Sequence, residues 1–208
     1  MSLTQDIANV VQAAENMTAT VAGKMGQIDQ RIDAAETEFD AWRSEKDVTG
    51  DINVNGAMRL NIFQGFLHST GAPYSTGGDS GGFAGKIDDL GASTNVYLHF
   101  KTPMNINTHS EMFWFNIRGY CYGAAKIIDE VITGYCYATS NSLISKANSG
   151  GMSPDSYADS AGNVILRILV PNTYYNSICI DTMRVGNGRL FNAGDLEVKA
   201  SLADTVEF

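Results

Sequence analysis

Basic residues, proline, cysteine and histidine are all in short supply in this chain. Its 208 residues include 14 Lys and Arg against 23 Asp and Glu, a formal charge of −9. The cations are scattered, whereas phosphate binding needs a concentrated basic footprint, so no nucleic-acid partner is expected. No apolar run approaches the roughly 18 residues that span a bilayer. The opening "MSLTQDIANVV" lacks the basic segment and compact apolar core of a secretory signal. Neither membrane insertion nor secretion is therefore expected, and synthesis in a reducing cytoplasm is. Three cysteines cannot all pair within one chain, and a domain of this length buries a core without staples. His68, His99 and His109 are isolated, with no partner four residues away and no neighbouring Cys. No metal site within one chain and no cofactor follow, although a trimer axis would gather three copies of one residue. Only 4 prolines against 21 glycines, with 44% hydrophobic residues, describe a folded chain rather than a disordered one.

A period of seven dominates the first forty residues. Thr4, Ile7, Val11, Ala14, Thr18, Val21, Met25, Ile28, Ile32, Ala35, Phe39 and Trp42 alternate by threes and fours without a slip. Such spacing keeps one seam of a helix facing partner helices. Lys24 with Asp29, and Arg31 with Glu36, are opposite charges at the flanking positions used by parallel, in-register chains. A helix packed on its own domain would bury a wider stripe, whereas most positions off this seam are polar, Ala or Gly. The expectation is a parallel coiled coil over 1–46, about 58 Å long. Ile7, Val11, Val21, Met25, Ile28, Ile32, Phe39 and Trp42 are its trimerisation residues. Mixed β-branched residues at both seam positions, without a buried Asn or Lys, favour three strands. The seam ends near Ser44, where "SEKDVTGDINVNG" brings Gly50, Asn53, Asn55 and Gly56. Ile52 and Val54 alternate with polar neighbours as in a strand, so 47–62 reads as a β connector, with Asn55-Gly56 a tight turn or a kink.

Beyond Arg59 the period switches to two. Val96, Leu98 and Phe100 alternate with Tyr97, His99 and Lys101, and Phe113, Phe115 and Ile117 with Trp114, Asn116 and Arg118. "NVILRILVP" reads as a central strand, and "SICIDTMRV" and "DLEVKASL" as two more. With turn residues between them, the expected head at 63–208 is an all-β antiparallel sandwich. Two stretches nearly repeat, "GYCYGA" at 119–124 and "GYCYAT" at 134–139. If they belong to two arms of a hairpin turning at 123–126, Cys121 lies beside the turn and Cys136 near the far end. An offset of about eight residues, or roughly 26 Å at the strand rise, forbids a disulfide, whose Cα atoms lie within about 7 Å. The spacing also misses the paired thiols of a zinc site. Each Cys is expected in the core as a small apolar residue.

Several motifs fail on context. "GDSGG" at 78–82 matches the nucleophile segment of chymotrypsin-like proteases, but the only upstream histidine is His68, twelve residues before Ser80. A triad needs a positioned base and an oxyanion hole. Gly85-Lys86 is followed by Ile87, not the Ser or Thr of a phosphate loop. Asp88-Asp89 and Asp129-Glu130 are adjacent carboxylates, not a pair facing across a cleft. No catalytic residue is assigned.

Aromatic residues beside Asn and Asp in loops are the chemistry of saccharide or protein recognition. The candidates are Tyr74, Asp79, Phe83, Asp155, Tyr157, Tyr174 and Tyr175, concentrated in loops 70–86 and 148–160; burial under their own loops is the alternative.

The heptads, the connector "DVTGDINVNGAMRL" and the stretch "NTHSEMFWFNIRGYCYGAAKIIDEVITGYCYAT" together resemble a small trimeric bacteriophage tail fibre or receptor-binding protein. That resemblance implies a homotrimer in the virion tail, docked on a tail or baseplate protein by its N-terminal end. Its β head would contact a host cell-surface glycan or protein, most simply a polysaccharide. A purely structural fibre without receptor binding is the alternative. Polysaccharide-cleaving tailspikes carry a long β-helix, for which the chain has no room, so an enzyme is not expected.

Overall fold

The computed structural model describes residues 2–67 and 95–208, the side chains of 44–46 excepted. Contacts divide the chain into two compact units, 1–46 and 47–208. The first is one helix, α1 (Leu3–Lys46), 44 residues without interruption and about 66 Å long. The eight seam residues named above are each between 49% and 59% exposed, far from the burial of a core side chain. Thr18, on the seam, turns its hydroxyl back onto the Ala14 carbonyl at 2.9 Å, which satisfies its polar atom within the helix. Phe39 and Trp42, one turn apart, pack their rings at 5.6 Å.

The second unit is antiparallel throughout. Its strands are β1 (Val48–Thr49), β2 (Met58–Leu67), β3 (Val96–Asn105), β4 (Ser110–Cys121), β5 (Lys126–Tyr137), β6 (Ser142–Ser149), β7 (Asp155–Ala158), β8 (Asn163–Val170), β9 (Asn176–Met183) and β10 (Glu197–Ser201). One sheet has the order β1-β2-β9-β4-β5-β6 and the other β10-β3-β8-β7. A single apolar core lies between them: Phe113, Phe115, Ile117, Ile132 and Ile180 from the larger sheet meet Leu98, Phe100, Leu166 and Ile168 from the smaller, all fully buried. Phe63 of β2 meets Phe100 of β3 edge to face at 5.3 Å, and Phe191 fills the space beside Phe115 at 4.8 Å. The period-two pattern places these residues inward, and "NVILRILV" is an inner strand of its sheet.

The β4–β5 hairpin turns through a short 3-10 segment, Tyr122–Ala124. Cys121 pairs with Lys126 and Cys136 with Glu111, so the two cysteines lie ten residues apart along β4, two more than the eight expected. Both are buried and unbridged. The stretch around Ile52 and Val54 corrects the sequence reading, for 51–56 is a turn with both side chains exposed. Gly56 at φ +93 lies in the eight-residue link between Thr49 and Met58, not in a two-residue hairpin. Asp129 and Glu130, adjacent in β5, point to opposite faces: Asp129 is exposed, and Glu130 is buried, accepting the Gly151 and Met152 amides at 3.1 Å.

The outer face of the smaller sheet is covered by residues 203–208. Asp204 accepts from the Arg167 guanidinium at 2.6 Å, and the Lys199 ammonium lies over the Phe208 ring at 4.4 Å. Beneath this strap a relay runs inward. The Val206 amide donates to the Tyr157 hydroxyl at 3.0 Å, that hydroxyl donates to His99 Nδ1 at 2.9 Å, and His99 Nε2–H donates to the Ala203 carbonyl at 3.2 Å. Burial, helped by the Arg167 charge and opposed by the Ala203 bond, lowers His99 from 6.5 to about 4. The unfolded chain therefore takes up this proton first. The stabilisation is fully present above about pH 6.5 and is lost as pH falls toward 4, by up to about 3 kcal/mol. Thermal melts between pH 7 and pH 4 should show this loss in the parent chain, and the His99→Gln variant, less stable at pH 7, should show a flatter profile. Equal slopes would remove His99 as the cause.

Candidate functional site: a tyrosine recess

The most distinctive surface lies on the outer face of the larger sheet and begins in the motif "GYCYG". Strand alternation sends Cys121 inward, where it is fully buried, and leaves Tyr120 and Tyr122 at 42% and 58% exposure. Gly119 brings β9 close, because a Cβ there would overlap the Ser177 carbonyl oxygen. Gly123 does the same for the next loop, since a Cβ there would overlap the Asn172 side chain. That residue is committed locally: its side-chain Oδ1 accepts the Tyr174 amide at 2.7 Å, and its backbone carbonyl accepts from the Asn176 side-chain amide at 2.8 Å. The loop is then stitched to the hairpin by the Tyr122 and Gly123 amides, which donate to the Tyr175 and Tyr174 carbonyls at 2.8 Å each. Tyr175 adopts a left-handed φ of +51, uncommon for a bulky residue, and this turns its ring beside Tyr174.

Four tyrosines from two distant segments thus converge. Tyr122 is the hub, 6.3 Å from Tyr120, 5.7 Å from Tyr174 and 6.4 Å from Tyr175, while Tyr174 and Tyr175 lie 5.1 Å apart. Three of these contacts are edge to face, the geometry that aromatic quadrupoles favour. With Ser177 the rings line an open recess of about 400 Å³. The ladder continues this surface: Phe66, Ser177, Tyr120 and Ile127 form one cross-strand row, and Gln64, Cys179, Arg118 and Asp129 the next on the same face. A second hollow of about 490 Å³ includes Gln64, Phe66, Arg118, Ser177 and Cys179 and shares Ser177 with the first. Arg118 is ion-paired with Asp181, whose carboxylate also accepts the Asn61 amide at 2.8 Å.

The recess offers ring faces, phenolic hydroxyls and a serine, which suit stacking and hydrogen bonding. Burial, reinforced by Asp181, raises the Cys179 thiol above its ordinary value, and burial raises Cys136 to about 11, so neither is a thiolate at neutral pH. Among the described residues no group of three His, Cys, Asp or Glu is placed to hold a metal, and no helix is long and apolar enough to cross a membrane.

Of the residues expected to recognise a ligand, Tyr174 and Tyr175 stand together in this recess. Asp155 and Tyr157 are elsewhere, on β7 in the other sheet: Asp155 binds Lys146 at 2.6 Å and Arg167 at 3.5 Å, and the Tyr157 hydroxyl is taken by His99 and Val206. Burial raises Tyr157 to about 12, which keeps it a phenol. Tyr74, Asp79 and Phe83 lie outside the described residues, as do Ser80 and Lys86. The sequence reading missed Tyr120, Tyr122, Ser177, Gln64 and Arg118 as a surface. The available signal was the alternation in "GYCYG", which places both tyrosines on one face.

The class these features define is a long N-terminal helix followed by a two-sheet antiparallel β domain with an exposed tyrosine recess. No family model, curated protein or solved structure matches the chain.

Proposed function

We propose that the protein is a trimeric adhesive fibre of a bacteriophage tail. Its helix joins three chains and docks on the tail, and its β head attaches the virion to a polysaccharide on the host surface. The observation that carries this reading is the unbroken seam of half-exposed apolar residues ahead of the β domain. A surface of that kind in water calls for partner helices. The tyrosine recess supports the adhesive part, because stacking and short polar contacts recognise sugars, and three heads on one rod multiply a weak affinity. Under this reading the recognition residues are Tyr174 and Tyr175 with Tyr120 and Tyr122, rather than the 148–160 loop. The test is sedimentation of the full chain together with binding of the labelled chain to intact bacteria. Three times 22.4 kDa, about 67 kDa, is the expected mass. A monomer would overturn the fibre, and a trimer that bound no cells would leave a structural component only.

A further inference from the structure

We propose that the tyrosine recess and the adjoining hollow form one groove with two subsites, selective for neutral rather than acidic oligosaccharides. This rests on the adhesive reading and deepens it. The first subsite is lined by rings and hydroxyls with no charged side chain among them. Tyr122, the most exposed ring at 58%, meets Tyr120 and Tyr175 near right angles rather than in a stack, and its exposed surface is offered to the C–H-bearing face of a pyranose. The negative ring face attracts those weakly positive hydrogens, and the phenols and Ser177 are placed for sugar hydroxyls.

The second subsite lies one row along the ladder, two residues down β4, about 7 Å away. That step is comparable with one pyranose ring and its linkage. Gln64, Ser177 and Arg118 supply its donors. Arg118 is the group that decides selectivity. Its partner Asp181 is buried and ion-paired to it, and Asp129 lies directly opposite it across the β4–β5 ladder. Asp181 therefore already neutralises the guanidinium, Asp129 is its cross-strand neighbour on the same face, and the chain carries a charge of −9. A sugar carboxylate or sulfate entering here would meet a matched cation and a negative field, whereas a hydroxyl needs only the donors.

The experiment uses the full chain on an array of neutral hexose and N-acetylhexosamine oligomers of increasing length, with uronate, sialylated and sulfated counterparts. Hits are titrated calorimetrically, and each variant is checked for unchanged mass and circular dichroism. Binding to a neutral series should strengthen from one sugar unit to two. Tyr122→Ala should weaken it about tenfold or more, while Tyr122→Phe keeps the ring and most of the affinity. Gln64→Ala should flatten the gain with length and spare the single unit. Preference for acidic glycans, indifference to Tyr122→Ala, affinity independent of length, or a blank array would each overturn the groove. The adhesive reading fails separately, through a monomeric chain or absent cell binding. Cell binding that persists with a blank array and vanishes after trypsin treatment of the cells would assign a protein receptor instead.

Discussion

Under the trimeric reading proposed above, replacing Ile28 and Ile32 together by Asp should reduce the protein from about 67 kDa, three times 22.4 kDa, to a 22.4 kDa monomer. Both residues lie on the helix seam and are 53% and 51% exposed in the single chain. In a three-stranded coil each would face its own copies, so the double substitution would place three carboxylates in each of two adjacent apolar layers of the rod. Burying charge without a partner costs several kcal/mol per group, more than the seam can offset over so few turns. Helical circular dichroism should fall with the mass, because an isolated helix in water draws little stability from propensity alone. If the head is the proposed adhesin, cell binding should fall by about 10²- to 10⁴-fold, the loss expected when three linked sites become single ones. Sedimentation at several concentrations checks the mass, and an unchanged trimer would mean that the heads associate without the coil.

Gly119→Val should cost at least about 3 kcal/mol and lower the melting temperature by roughly 10 °C. The new Cβ would overlap the Ser177 carbonyl, an atom of the neighbouring strand's backbone. A side chain in that position would be free to rotate away; a strand carbonyl held in a ladder with β2 and β4 is not. Relief requires β9 to separate from β4, which opens the core over Ile178 and dismantles the tyrosine recess at once. Gly151→Ala is the matching control, because nothing lies within 4 Å of a Cβ there, and it should stay within about 0.5 kcal/mol of the parent. Thermal melts of the two variants side by side check the contrast. Equal stability of both would show that β9 yields more readily than its pairing suggests.

Much of the fold was legible because local periodicity is a physical signal. A seven-residue repeat has one geometry that buries it, and α1 is continuous over the range the repeat covers. Alternation likewise placed Phe113, Phe115 and Ile117 in the core and Arg118 outside it. The signal failed where it was short. Ile52 and Val54 alternate over three residues only, and the demands of Gly50 and Gly56, both at positive φ, prevailed. It also failed where a residue's partners come from far away. Asp155 and Tyr157 look like loop recognition residues until β7 joins β8 and brings them to Arg167, His99 and the C-terminal strap.

The recess divides along the same line. The residue order by itself determined that Tyr120 and Tyr122 flank a buried Cys121 and share a face, since neighbours two apart in a strand point the same way. It also determined that Tyr174 and Tyr175 sit beside an Asn able to shape a turn. That these two pairs meet was decided only by the tertiary structure: β9 pairs with β4 across Gly119, and Asn172 seats against Gly123. Local sequence sets which face a side chain occupies, whereas the distance between segments some fifty residues apart is set by strand order and register. Those follow from burying the whole core at once.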